Sequence, residues 1–198
     1  MWMLVVPVVA LGVFSAVTAA GCGGSPVGKV AATGVEASMY GSQQYGFSFR
    51  YPQRCTLVTP EKPTASSGQA LQVIVADPDG EVVGGRALDV FSVDVYKLVP
   101  AAGPSALKKN QKEFRNMALS LAGGAGDTHV TAAPSLTKFA GQPALECEYF
   151  SPAGKERTGT LAYLVPKGRY AYWVRLQSSE KTKGTGTLLV TLDTFRFD

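Results

Sequence analysis

The chain has 198 residues, 45% of them hydrophobic and 17% charged, with a net charge of +4. That length holds one folded domain with short flanking segments, and the composition excludes a disordered chain. The basic residues are dispersed, with Lys108-Lys109 the densest pair, so no nucleic-acid partner is expected.

Residues 2–21 carry no charge and open as Trp2-Met3-Leu4-Val5-Val6-Pro7-Val8-Val9. A run of this length partitions from water into a bilayer. It shifts to small residues and ends at Gly21-Cys22. Signal peptidases admit only short side chains before the cut. Ala19-Ala20-Gly21-Cys22 resembles a bacterial lipobox, whose commonest form is Leu-Ala-Gly-Cys; Ala19 departs from the preferred Leu. The resemblance implies a signal peptide over 1–21, diacylglycerol on the Cys22 thiol, and a fatty acyl group such as palmitate on the new amino terminus. Two acyl chains suffice for stable membrane anchoring. A plain secretory signal and an uncleaved transmembrane anchor stay open as alternatives. Against the anchor stand Pro7, Gly12 and the lack of a basic stop-transfer cluster. All three place the following domain outside the cytoplasm, and the lipobox reading places it in the cell envelope, lipid-anchored on the extracytoplasmic side of a membrane. Residues 22–42, rich in Gly, Ser, Ala and Val, read as a flexible tether, which leaves 43–198 as the domain.

Strand signals begin at Gly46 to Tyr51, where Phe47, Phe49 and Tyr51 share one side and Pro52 stops the run. Leu71 to Ala76 is apolar and β-branched, closed by the turn signal Asp77-Pro78-Asp79-Gly80. Asp89 to Lys97 alternates, with Phe91, Val93 and Val95 on one face and Ser92 and Asp94 on the other. Ser105 to Ala122 has helical spacing: Leu107, Phe114, Met117, Ala118 and Leu121 form one face, and Lys108, Lys109, Lys112 and Arg115 cover the rest. Leu145, Cys147 and Tyr149 point one way on a further strand, Glu146 and Glu148 the other. Thr160 to Val165 and Tyr170 to Leu176 predict a hairpin around Pro166-Lys167-Gly168. Leu188, Leu189, Leu192 and Phe195 suit a short closing helix. Adjacent strands with only two helices give an α+β class, an antiparallel sheet with helices packed on its faces.

With Cys22 lipidated, Cys55 and Cys147 remain. Outside the cytoplasm two leftover thiols favour one disulfide, which in the chain-entropy model stabilises by constraining the unfolded chain. Two separately buried thiols are the alternative. The cysteines and the lone His129 fit no zinc spacing, and no cofactor motif is present. His129 lies in a loop-to-strand junction without a nucleophile elbow. Glu146 and Glu148 share a strand face; a glycosidase pair is one reading, a solvated face near Arg157, Arg169 or Arg175 the other. Gly123-Gly124-Ala125-Gly126 follows a helix and lacks the Lys-Ser/Thr of a phosphate loop. Tyr170, Tyr172 and Trp173 offer a binding platform, although neighbours on a strand face opposite ways and part of the trio belongs to a core.

Tyr45-Gly46-Phe47-Ser48-Phe49-Arg50-Tyr51-Pro52 resembles the opening strand of the MOG1/PsbP-like fold. The mid-chain helix, Glu146-Cys147-Glu148-Tyr149, Gly168-Arg169-Tyr170 and Leu192-Asp193-Thr194-Phe195 follow in that family's order, over about residues 43–198. The family's Trp after Tyr-Pro is replaced here by about Cys55, where the disulfide would act as a substitute staple. The resemblance implies an α-β-α sandwich and a non-catalytic role, binding or assembling an envelope protein partner at a membrane. It carries no metal site to these residues. A carrier or sensor of a small apolar ligand, such as a lipid held between sheet and helix by Phe114, Met117 and Leu121, is the alternative function.

Overall fold

A computed structural model describes residues 36–60, 68–80, 82–83, 86–103, 105–123, 128–153, 156–179 and 186–198. The apolar leader, Cys22 and residues 23–35 lie outside them, as do Gly124, Ala125 and Gly126.

The first described strand corrects the tether's boundary. Residues 37–42 were expected to be linker, yet β1 (Ala37–Ser42) pairs antiparallel with β2 (Phe47–Pro52) from Ala37↔Pro52 to Ser42↔Phe47. Its small residues look like linker composition. What holds it is Tyr40, stacked on Phe49 with ring centroids 5.2 Å apart, and the buried Ala37. The last strand, β12 (Arg196–Phe197), pairs with the other edge of β2, so both ends of the domain meet in one three-stranded sheet.

The larger sheet has seven strands. Its path is β3 (Thr56–Val58), β4 (Gln69–Ala76), β7 (Val90–Ala102), β11 (Glu156–Ser179), β10 (Gln142–Ala153) and β8 (His129–Val130). The seventh, β9 (Ser135–Phe139), pairs with β10 beyond β8. Every pairing is antiparallel. A separate two-residue pair, β5 (Val82–Val83) and β6 (Arg86–Ala87), lies between β4 and β7 in sequence. The turn Asp77-Pro78-Asp79-Gly80 ends β4 as expected: the Asp79 amide donates to Asp77 Oδ1 at 3.1 Å.

β11 is an unbroken run of 24 extended residues, which if straight would measure about 80 Å. A domain of this size has a radius of gyration of about 15 Å. The run therefore doubles back. Gly159, Thr160 and Leu161 line one depression together with Leu176 and Ser178. Tyr149, whose cross-strand partner is Thr160, also meets Arg175. Gly168, at φ +60°, supplies the left-handed backbone for the reversal. The hairpin expected around Pro166-Lys167-Gly168 takes this form.

Two cores lie on opposite faces of the large sheet, and alternation along β11 sorts residues between them. Tyr172 and Val174 join Phe47, Phe49, Val73, Val93, Leu188 and Phe195 in the first core. This core lies under the three-stranded sheet and α3 (Gly186–Asp193). Ala171 and Trp173 join Leu145, Cys147, Phe114 and Ala118 in the second, under α2 (Gln111–Gly123). α1 (Ala106–Lys109) leads into α2, and the two replace the single helix expected from Ser105. The fold class is thus α+β, antiparallel sheet with helices, and the layer facing the first core mixes strand and helix.

Candidate functional site

The structure separates the residues that the sequence singled out. Cys55 and Cys147 are both free and buried, which corrects the expected disulfide. Cys55 sits in the first core and directly precedes β3, whereas Cys147 sits on β10 in the second core. β4, β7 and the two arms of β11 intervene between those strands, and at about 4.8 Å per step this puts them roughly 24 Å apart. A disulfide requires Cα atoms within about 7 Å. Burial pushes the Cys55 thiol up to about 11, with Asp77 adding to the shift and Arg54 opposing it. Burial likewise pushes Cys147 to about 11, with Glu148 adding.

The aromatic platform is corrected as well. Tyr172 and Trp173 are 2% and 1% exposed, in different cores. The Tyr172 hydroxyl donates to the Tyr45 carbonyl at 2.6 Å. Tyr170 alone stays partly exposed, edge-on to Tyr45 at 5.2 Å between centroids. His129 is exposed, at the β8 edge opposite Phe150. Glu146 is half-buried and Glu148 exposed. Tyr163 beside them is raised to about 12 by burial, with Glu146 and Glu148 adding. Arg175 does not serve these carboxylates; it faces the opposite side and pairs with Asp94.

That ion pair anchors the largest polar cluster among the described residues. Arg175 Nη2 donates to Asp94 Oδ2 at 2.6 Å, and Asp94 is 2% exposed. Asp94 Oδ1 accepts from Gln69 Nε2 at 2.6 Å and Gln72 Nε2 at 2.8 Å. Four side chains from β4, β7 and β11 thus converge where the sheet face carries polar residues instead of apolar ones. Burial, opposed by Arg175, raises the Tyr149 phenol. Asp94 raises the Arg175 guanidinium against its own desolvation. A carboxylate that accepts from one guanidinium and two amides ties β4, β7 and β11 together side chain to side chain. The signal in the sequence was one acid and one base set directly between apolar neighbours, Asp94 between Val93 and Val95 and Arg175 between Val174 and Leu176.

Two concavities among the described residues bear on function. A groove of about 440 Å³ runs along α2, lined by Lys109, Gln111, Lys112, Arg115, Asn116, Leu119, Ala133 and Pro134. A depression of about 290 Å³ lies between the β10–β11 strands and α3, lined chiefly by Phe150, Leu161, Leu176 and Leu189 with Glu148 at its side. The space between sheet and α2, where Phe114, Met117 and Leu121 were expected to line a ligand cavity, is filled by Leu145, Ala118 and Trp173, all at most 1% exposed. Among the described residues no helix is long and apolar enough to cross a membrane.

No family profile and no curated protein sequence matches the chain. Solved structures do. The cyanobacterial PsbP protein CyanoP of Synechocystis is similar with a TM-score of 0.56 and 16% identity, over 88% of this chain and 100% of its own. The fold is MOG1/PsbP-like. The Ran-binding protein Mog1p of Saccharomyces cerevisiae gives a TM-score of 0.43 at 7% identity, covering 82% of this chain and 96% of its own. A protein of Bacteroides thetaiotaomicron gives 0.49 at 14% identity over 81% of this chain; the match spans about half, 48%, of that longer protein. In this MOG1/PsbP-like domain the opening motif does structural work. Phe47 and Phe49 are 0% and 1% exposed and tie β2 to Phe91 and Phe195, which explains why its aromatic spacing was legible.

Proposed function

We propose that the chain is an envelope lipoprotein, anchored through Cys22 on the extracytoplasmic side of a membrane, whose MOG1/PsbP-like domain binds or helps assemble protein partners without catalysing a reaction. The observation that carries the reading is the uncharged run over residues 2–21 that ends in small residues at Gly21-Cys22, upstream of a domain whose first described strand starts at Ala37. The disposition of reactive groups supports a non-catalytic role. The two thiols are held protonated by pKa values near 11, in separate cores. His129 stands on an exposed edge away from both. Glu146 and Glu148 adjoin a raised phenol, and among the described residues neither forms an ion pair.

Labelled palmitate fed to cells expressing the full chain or Cys22→Ala tests the anchor; label on the first and none on the second is expected. Crosslinking and pull-down from both forms then tests the partner. Recovery of the same proteins from the unanchored form would show that anchoring does not bring them together. Glu146→Gln with Glu148→Gln is expected to leave the cellular phenotype intact, and a lost phenotype would reopen catalysis. A second reading, carriage of a small apolar ligand, is favoured by the apolar depression at Phe150, Leu161, Leu176 and Leu189. Saturable binding of a fluorescent fatty acid, abolished by Leu161→Glu, would support it over the first.

A further inference from the structure

We infer that the exposed side of α1 and α2 docks onto the anionic headgroups of the bilayer; this rests on the anchoring proposed above. Lys108, Lys109, Lys112 and Arg115 are all exposed. Three of them line the groove along α2, and no acidic residue lines it. Glu113 is the acid on this helix. Leu119, in the same groove, is 40% exposed. Cations around an exposed leucine match the order of a membrane surface, charge at headgroup level and hydrocarbon beneath, and lysine stems reach sideways to hold that arrangement. An interface with a folded protein centres on a buried aromatic or arginine anchor in a pocket, whereas Arg115 is exposed here and the groove has no aromatic lining.

The length of chain ahead of the domain makes such docking feasible. Residues 22 to 36 are 14 steps (36 − 22), so the anchor and β1 stay within about 50 Å of each other. β1 belongs to the layer opposite α2, and layers pack about 10 Å apart, so the linker spans the domain's thickness with length to spare. The same limit keeps the groove close to the lipid at all times, and at such effective concentrations a weak attraction suffices.

The test uses the lipidated full chain in vesicles of phosphatidylcholine alone or with phosphatidylglycerol. Asn116→Cys in the groove and Met39→Cys on β1, both at exposed positions, each carry one fluorophore, since Cys55 and Cys147 are buried. Flotation with the vesicles reads anchoring; quenching by headgroup nitroxides reads docking. We expect the Asn116→Cys label to be quenched only with phosphatidylglycerol, the Met39→Cys label to stay unquenched, and salt to reverse the effect. At roughly fivefold per cation, losing three cations lowers the docked-to-free ratio about a hundredfold. Lys109→Glu/Lys112→Glu/Arg115→Glu should therefore abolish quenching with an unchanged unfolding transition, and Arg196→Glu on β12 should not. Equal quenching in both vesicle types, or stronger quenching at Met39→Cys, overturns the inference while leaving anchoring intact. Shielding of the Asn116→Cys label only on addition of envelope protein overturns it too, and assigns the face to an acidic protein. Failure to float removes the anchor and this inference together.

Discussion

Asp94→Ala probes whether the charged cluster on the sheet is structural. The carboxylate accepts three hydrogen bonds, at 2.6, 2.6 and 2.8 Å, from Arg175, Gln69 and Gln72. Its loss strands two amide donors and a guanidinium whose side chain is 29% exposed. Breaking a buried pair from one side costs about 3–5 kcal/mol. Water reaching Arg175 recovers part of this, so the lower end, about 3 kcal/mol, is expected. At about 2–4 °C per kcal/mol for a domain of this size, Tm falls by roughly 6–12 °C. Urea unfolding followed by tryptophan emission measures it, because Trp173 sits in the neighbouring core. The double variant Asp94→Leu/Arg175→Met should recover part of the loss, since the pair and its desolvation disappear together while the Gln69 and Gln72 amides still lack their acceptor. A loss under about 1 kcal/mol for Asp94→Ala, or a double variant as unstable as the single one, would refute the assignment of this cluster as a tie between the three strands.

Other outcomes follow from burial and chemistry. Cys55 and Cys147 should react with a thiol reagent only after unfolding, and gel mobility should be the same with and without reductant; a mobility change would restore the disulfide. Because the folded state holds both thiol protons up to about pH 11, against 9.0 for a free thiol, this contribution to stability is full below pH 9 and lost as pH rises toward 11. Tyr163 and Tyr172, raised to about 12, extend the decline. A urea midpoint at pH 10.5 no lower than at pH 8 would contradict those shifts. Phe49→Ala, at a 1% exposed position touching Tyr40, Phe47, Phe91 and Phe195, should cost about 3–5 kcal/mol by chemical unfolding. Gly80→Ala would put a Cβ 2.8 Å from Asp89 Oδ2 and 3.0 Å from the Asp77 carbonyl, so a loss of about 1–3 kcal/mol is expected.

Period-two alternation made β2, β7 and β10 legible, because each buries a different set of residues on each face, while an apolar β-branched run marked β4 and a turn signal between two strand segments marked the arms of β11. The aromatic motif around Phe47 and Phe49 pointed to the fold for the same reason: its spacing is set by a core it helps build. Composition misled at β1, whose Gly and Ser residues suit a linker, while its order comes from the contacts of Tyr40 across the hairpin with Phe47 and Phe49. It also misled at the cysteines, since a count of thiols says nothing of which sheet face each occupies. Tyr172 and Trp173 looked available because aromatic rings suit surfaces and cores alike. Of the candidate surface, the basic helix face was readable from Lys108 to Arg115; the wall supplied by Ala133 and Pro134 was not, because it depends on how the β8–β9 connection returns against α2.

The pairing of β1 also determines how the domain would answer a pull. Any tension arriving through Glu36 acts first on Ala37↔Pro52, the open end of a hairpin edge, and would peel its rungs one after another instead of shearing them together. Peeling is the compliant direction for a two-stranded ladder, so β1 would yield at low force while the seven-stranded sheet stayed closed. What it would uncover is the flank of β2, a row of idle amides and carbonyls, on demand and reversibly.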